Sequence, residues 1–306
     1  MGRYILRRLG QTLIVLLCVS IFAFLLVRLA PGNPAELLLG DGSSDEQIAA
    51  MEVKLGLDKP LYVQYWNYIT GVLQGDLGTS TSYRMPVSTL IVNRLPNTLS
   101  LAFVTVLFGL SLCIPLGIIA GSHRGTFIDF FAMFFALLGQ SMAVVWIAVL
   151  DIYIFSVVLG WLPAIGTGTP LHYIMPVLTL GYPLAAETTR IGRSGMIDTL
   201  NEDFITATHA KGISPLVVHW KYAFKNAVCP VITLVGMRLG AFLAGAIVVE
   251  SIFSWPGIGQ LLNSSVGNRD YQLVQSLLLM SACLFAVVNL LVDVINSLID
   301  PRIVLE

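Results

Sequence analysis

Charge is scarce in this chain. Of its 306 residues, 11% are Asp, Glu, Lys or Arg, against roughly 25% in an ordinary soluble domain. So few charges cannot cover a globule of this size with water-facing side chains, which argues against a soluble enzyme or a disordered chain. The net charge of −1 leaves no basic surface for nucleic acid. No Gly-Lys pair occurs, so no P-loop can cradle a nucleotide phosphate. The four histidines are followed by Arg, Tyr, Ala and Trp, so no HExxH metal site exists. Gly166-Thr167-Gly168 lacks the aspartate of a GxGD protease motif. Cys18, Cys113, Cys229 and Cys283 form no CxxC pair and sit in or beside apolar stretches, as small core hydrophobes do. No internal repeat of the kind common in secondary transporters is visible.

Long apolar runs are abundant. Hydrophobic residues make up 56% of the chain, and the mean hydropathy is +0.81. A membrane-crossing helix needs about 20 mostly apolar residues. Six stretches qualify: 9–27, 98–122, 130–150, 172–186, 226–249 and 271–292. The third runs on to about residue 160, which is long for one span. Gly139-Gln140-Ser141 is its natural break point. The fourth is short and is expected to continue through Thr189. Arg28 follows the first run without a small-x-small cleavage site, so that run is read as an uncleaved span and not a signal peptide. The fold class expected is an all-α membrane protein with one transmembrane domain over 1–306. Ten of the seventeen Lys and Arg residues fall on the side holding the N-terminus, among them Arg3, Arg7, Arg8, Arg190, Arg193, Lys211, Lys221 and Lys225. The positive-inside bias therefore places both termini in the cytoplasm.

Two loops are longer than connectors need to be. The outer one, 30–97, carries a capping box at Ser44 and Gln47, with Ile48, Met51 and Leu55 following at helical spacing. After Pro60, Leu61, Tyr65, Ile69 and Val72 share a face, with Tyr62 and Trp66 beside it. Two readings are open: a lid on the membrane surface, or a docking surface for an external partner. The inner loop, 191–225, reads as two helices. The first covers 202–211 and ends at Gly212. The second starts at Ser214-Pro215 and carries an apolar stripe of Leu216, Val217, Trp220 and Phe224.

In this inner loop, Thr206-Ala207-Thr208-His209-Ala210-Lys211-Gly212, followed by Asn226-Ala227 and Pro230, resembles the cytoplasmic coupling motif of ABC-importer permeases. The form is that of the peptide and nickel subfamily. Gly56-Leu57-Asp58-Lys59-Pro60, Gly75-Asp76-Leu77-Gly78, Phe253-Ser254-Trp255-Pro256-Gly257-Ile258-Gly259, Arg269-Asp270-Tyr271 and Asp300-Pro301-Arg302 agree with it in order. The chain looks most like the first of the two permeases in a dipeptide, oligopeptide or glutathione importer, with a nickel or metal-chelate importer as the alternative. Three positions depart from the general motif: Thr206 replaces its opening glutamate, Thr208 an alanine and Lys225 an arginine. They leave no basis for a salt bridge from position 206 to an ATPase.

The resemblance implies a bacterial inner-membrane protein that is not itself an enzyme and binds no cofactor. ATP and Mg would be handled by one or two separate cytoplasmic ATPases. A second, homologous permease and an extracytoplasmic solute-binding protein would complete the system. Ala207, Ala210, Lys211, Gly212 and Asn226 are the expected ATPase-coupling residues. Within the spans, Asp151, Glu187, Arg238, Glu250 and Asp293 are ionisable, and such groups are rare in membranes. Arg238 and Glu187, with the small residues Gly236 and Gly240, are the candidate substrate-pathway set. The alternatives are ordinary packing for Gly236, Gly240 and Gly117-x-x-x-Gly121, an i,i+3 pair between Glu187 and Arg190, and simple interface positions for Glu250 and Asp293.

Overall fold

The structure, a computed structural model, describes residues 2–29, 39, 44–56 and 58–299. Among these the chain is helical, with no sheet beyond an isolated antiparallel bridge between Thr79 and Pro86. Helix α1 covers Gly2–Leu29. Two shorter helices follow, α2 (Asp45–Leu55) and α3 (Leu61–Leu73). The capping box of α2 is present in both directions, from Ser44 and from Gln47.

Helix α4 (Val87–Ser122) begins eleven residues before the apolar run at 98, because Pro86 fits the position before a first turn and Val87, Leu90 and Ile91 find a buried pocket. Helix α5 (Phe127–Ser141) and α6 (Val144–Asp151, extended by a π-helical turn Ile152–Val158) meet at 105°. The expected break after Gly139 is therefore a sharp turn, and 130–150 is not one straight helix.

Helix α7 runs over Leu171–Leu200, eleven residues past Thr189. Its last part is amphipathic rather than apolar, so hydropathy alone stops short of its end. Helix α8 (Asp203–Ala210) follows, then a short α9 (Pro215–Val217) that passes through a π turn (Val218–Ala223) into α10 (Phe224–Ile252). Helices α11 (Ile258–Gly267) and α12 (Tyr271–Ile299) complete the chain.

By length and composition, α4 and the 271–292 part of α12 can each cross a membrane among the described residues, and the bent α5–α6 pair adds a third candidate. The apolar part of α1, Gly10–Leu26, is shorter.

The spine of the molecule is the pairing of α4 with α7. Glycine makes it possible: a Cβ on Gly117 would lie 3.5 Å from the Cα of Gly192, and one on Gly121 would lie 2.5 Å from the Cβ of Met196. The Gly117-x-x-x-Gly121 stripe is thus a close-packing surface. At one end of this spine, Leu101, Met175, Val249, Phe253 and Trp255 form a core. At the other, Ile118 of α4 and Met196 of α7 pack with Ile205 of α8 and with Val218, Ala223 and Ala227. This second cluster fixes the inner hairpin to the spine.

Candidate coupling loop and membrane-embedded charges

The inner hairpin has a buried side and a free side. On α8, Ile205 and Thr208 are buried, and the Thr208 hydroxyl donates to the Phe204 carbonyl at 2.6 Å. Ala207, Ala210, Lys211 and Gly212 are exposed. Gly212 has φ +75° and no neighbour within 4 Å of where a Cβ would stand. Its need is for a left-handed backbone, which lets the chain reverse after Lys211. Asn226 is exposed in the first turn of α10.

The buried face of the following segment differs from the expected stripe. Leu216 is 72% exposed and Trp220 45%, while Val218 and Ala223 are fully buried. The π turn over 218–223 shifts the register away from 3.6 residues per turn, so a stripe counted at helical spacing selects the wrong side.

Glu187 and Arg190 lie on α7. Glu187 pairs with Arg238 of α10, 51 residues away, and not with Arg190 at i+3. Arg190 instead donates to the side-chain oxygen of Gln140 at 3.4 Å. Among the four pathway candidates, the structure thus joins Glu187 and Arg238. Gly236 faces elsewhere: a Cβ there would overlap Val292 of α12. The surroundings of Gly240 and the side chain of Asp293 lie outside the described residues, as does the Asp300-Pro301-Arg302 end.

A second ion pair was not foreseen. Arg193 reaches the buried Asp129 with two parallel hydrogen bonds, Nε to Oδ1 at 2.5 Å and Nη2 to Oδ2 at 2.7 Å. The Gly125 N–H donates to Oδ2 at 2.9 Å. This bidentate clamp holds the start of α5 against α7, with Arg193 one helical turn before the Met196 that meets Gly121.

Two further carboxylates organise the opposite end. Glu250 is fully buried. Its Oε1 accepts from the Thr98 hydroxyl at 2.7 Å, and its Oε2 accepts from the N–H groups of Gly259 at 2.7 Å and Gln260 at 3.1 Å. It satisfies the free N–H groups of the first turn of α11 from a different helix. Thr98 in turn accepts from the Ile258 N–H at 2.8 Å. Any side chain at Gly257 would overlap this carboxylate.

Asp270, also fully buried, accepts from the Ser80 hydroxyl at 2.5 Å and the Ser82 N–H at 3.0 Å. Gln272 donates to the Leu77 carbonyl at 2.9 Å. The Gly75–Gly78 and Arg269–Tyr271 segments, nearly 200 residues apart, therefore form one joint. Asp151 accepts from Thr179 at 2.8 Å, which explains that charge as a tie between α6 and α7. Sequence spacing carried no signal for these long-range pairs. Only the rarity of charge in apolar runs marked Glu250 and Asp151.

Between α4, α7 and the 161–170 loop lies a cavity of about 1120 Å³, with Asn97, Phe108, Ser111, Tyr173 and Trp255 on its walls. The Tyr173 and Trp255 rings meet edge to face, with centroids 4.5 Å apart.

The fold is a bundle of long apolar helices with an exposed hairpin fixed to its spine, and the comparisons give its class. Residues 113–305 match the family described as binding-protein-dependent transport system inner membrane component, and residues 1–102 match its N-terminal companion. The chain belongs to this family and is a multi-pass protein of the bacterial inner membrane.

Along its whole length it is similar to the glutathione transport system permease protein GsiC. It is 42% identical to the Salmonella typhimurium protein over 303 residues, covering 99% of both chains. It is 40% identical to the protein of Escherichia coli strain K12 with the same coverage. Among solved structures, it resembles the MetNI methionine ABC transporter in inward-facing form, with a TM-score of 0.57 and 17% identity over 69% of this chain and 96% of that one. An amino acid ABC transporter crystallised with histidines gives 0.53, also at 17% identity, over 70% and 94%. These two likenesses concern the fold.

Proposed function

We propose that this chain is one of two permease subunits in an importer of short peptides, glutathione among them. The full-length similarity to GsiC supports the substrate class. In this reading six spans cross the membrane, both termini are cytoplasmic and 30–97 lies outside. A second permease, cytoplasmic ATPases and an external binding protein complete the assembly. ATP and Mg stay in the ATPase, and this chain moves substrate without chemistry of its own.

One observation carries the mechanism: α8 presents Ala207, Ala210 and Lys211 outward while Ile205 and Thr208 are buried beneath it. Small side chains on the free face let α8 seat deep in the cleft of an ATPase. The buried face passes any displacement to Ile118, Met196 and Ala227, and so to α4, α7 and α10 together. Close-packed interiors shift as units. The Glu187–Arg238 pair lies along the pathway. Pairing lowers the cost of holding both charges at membrane depth, and facing water or the second permease avoids lipid.

The test is uptake. Cells lacking their own peptide and glutathione importers, given this chain with its partner subunits, should accumulate labelled glutathione or a dipeptide. Accumulation of nickel alone, or of none of these solutes, would overturn the substrate reading.

A further inference from the structure

The helix α3 sits beside the apolar part of α1, not above it. Tyr65 shares a hydrogen bond of 2.8 Å with Ser20, and its ring meets Phe24 edge to face at 5.5 Å. Tyr68 stacks on Phe24 as well, with centroids 6.3 Å apart. It also stands next to Gln275 of α12. Phe24 and Ser20 lie two and six residues inside the end of the apolar stretch Gly10–Leu26. At 1.5 Å per residue, that is about 3 to 9 Å along the helix. Gln275 is four residues into the apolar run that starts at Tyr271, or about 6 Å. One leaflet of hydrocarbon is roughly 15 Å thick, half of the whole layer. Both neighbours therefore place the middle of α3 below the headgroups.

The composition of α3 fits that depth. Its thirteen residues include no Asp, Glu, Lys or Arg. Tyr65 and Tyr68 face α1. On a separate arc Tyr62 is 75% exposed, Trp66 67% and Leu73 81%. Positions 62, 66 and 73 fall within a narrow arc of a 100° wheel. On α1, Leu17, Phe22 and Leu25 are exposed as well. Arg28, at the end of α1, lies over the Phe24 ring at 5.1 Å, as a long basic side chain does at the rim of the hydrocarbon.

We infer that α3 is sunk into the bilayer at the headgroup–acyl boundary, with Tyr62, Trp66 and Leu73 covered by lipid and not by a protein partner. Tyrosine and tryptophan suit this level, because each has an apolar body and a polar tip. Helix α3 is then an anchor that ties the 30–97 segment to the membrane, and a docking partner must use another surface. The inference uses the membrane location of the family and is independent of the substrate.

Electron spin resonance of the full complex in lipid nanodiscs tests it. Single cysteines at 62, 66 and 73, in a background with the four native cysteines replaced, carry the spin label. Leu25→Cys serves as the lipid reference and Glu46→Cys as the water reference. All three α3 labels should relax faster with dissolved oxygen than with a water-soluble nickel chelate, by at least about threefold, as the Leu25 label does. Chelate-dominated relaxation at two or more of them, as at Glu46, would overturn the inference. Protection from both reagents would also overturn it, since protein would then cover the face. Three separate positions keep the outcome readable if one variant does not fold.

Discussion

The Glu250 carboxylate is the joint most exposed to a single substitution. It accepts three hydrogen bonds inside the protein, from Thr98, Gly259 and Gln260. Glu250→Ala removes the acceptor and leaves those donors in a site that holds no exposed atom of residue 250. Each abandoned buried donor costs about 1–3 kcal/mol. Relaxation and water entry recover part of that, so a total of about 3–5 kcal/mol is expected, the range seen when one partner of a buried charged cluster is lost.

Glu250→Gln is milder. One oxygen becomes an amide NH₂ that must face either the Thr98 hydroxyl or the N–H groups of α11, so about 1–3 kcal/mol is lost at one contact. A chain of this size loses roughly 1.5 °C in unfolding midpoint per kcal/mol. Detergent-solubilised protein, heated and followed by fluorescence-detected size exclusion, should show Glu250→Ala about 5–8 °C below the parent and Glu250→Gln between the two. Thr98→Val should cost less in the Glu250→Ala background than in the parent, because the Thr98–Glu250 bond is already gone and only the Ile258 N–H is newly stranded. If Glu250→Ala melts with the parent, the carboxylate does not hold α11 and the assignment is wrong.

Four further outcomes are expected. Arg238→Leu and Glu187→Leu should each lower transport and expression, because each strands a charge worth about 2.5–3.5 kcal/mol at mid-membrane depth. The double variant should recover expression in immunoblots but not uptake, and equal expression of all three would contradict the pairing. Gly121→Leu should disrupt the α4–α7 spine and lower the melting midpoint far more than Gly125→Leu, whose site has no neighbour within 4 Å and costs only backbone strain of about 1–2 kcal/mol. A cysteine at Glu46 should react with an impermeant thiol reagent in intact cells and one at Ser214 should not, and the reverse would invert the orientation.

The imidazole of His219 is held below its ordinary pKa, first by burial and then by the charges of His209 and His123. Its unfolded form binds protons more readily, so the hairpin should lose stability as pH falls through about 6.5. His219→Gln should reduce that loss in melting curves taken between pH 8 and pH 5.5.

Local chemistry was legible in the sequence. The Ser44–Gln47 capping box, the helix stop at Gly212, the start at Ser214-Pro215 and the break after Gly139 all follow from capping rules and backbone preferences, and each is found where it was placed. Features set by tertiary contact were not. Helix α7 continues to Leu200 because Gly192 and Gly195 let α10 approach, with Val231 and Ala227 against them. The buried side of 216–223 is fixed by a π turn that no apolar period announces. Glu187 had a partner in reach at Arg190 but chose Arg238 across the bundle. Asp129 and Arg193 meet over 64 residues. Span limits drawn from hydropathy also missed the start of α4 at Val87, where burial against α11 and α12 decides the helix.

The central claim is that motion made by a separate ATPase enters this chain through α8. It is tested most directly by measuring peptide uptake and ATP hydrolysis side by side in vesicles holding the complete importer. Gly212→Val strains a left-handed turn with φ +75°, and Ala207→Trp fills the free face of α8. Both variants should assemble and insert, yet lose uptake or spend ATP without it. Normal uptake at the parent's ratio of substrate to ATP in both variants would contradict the account.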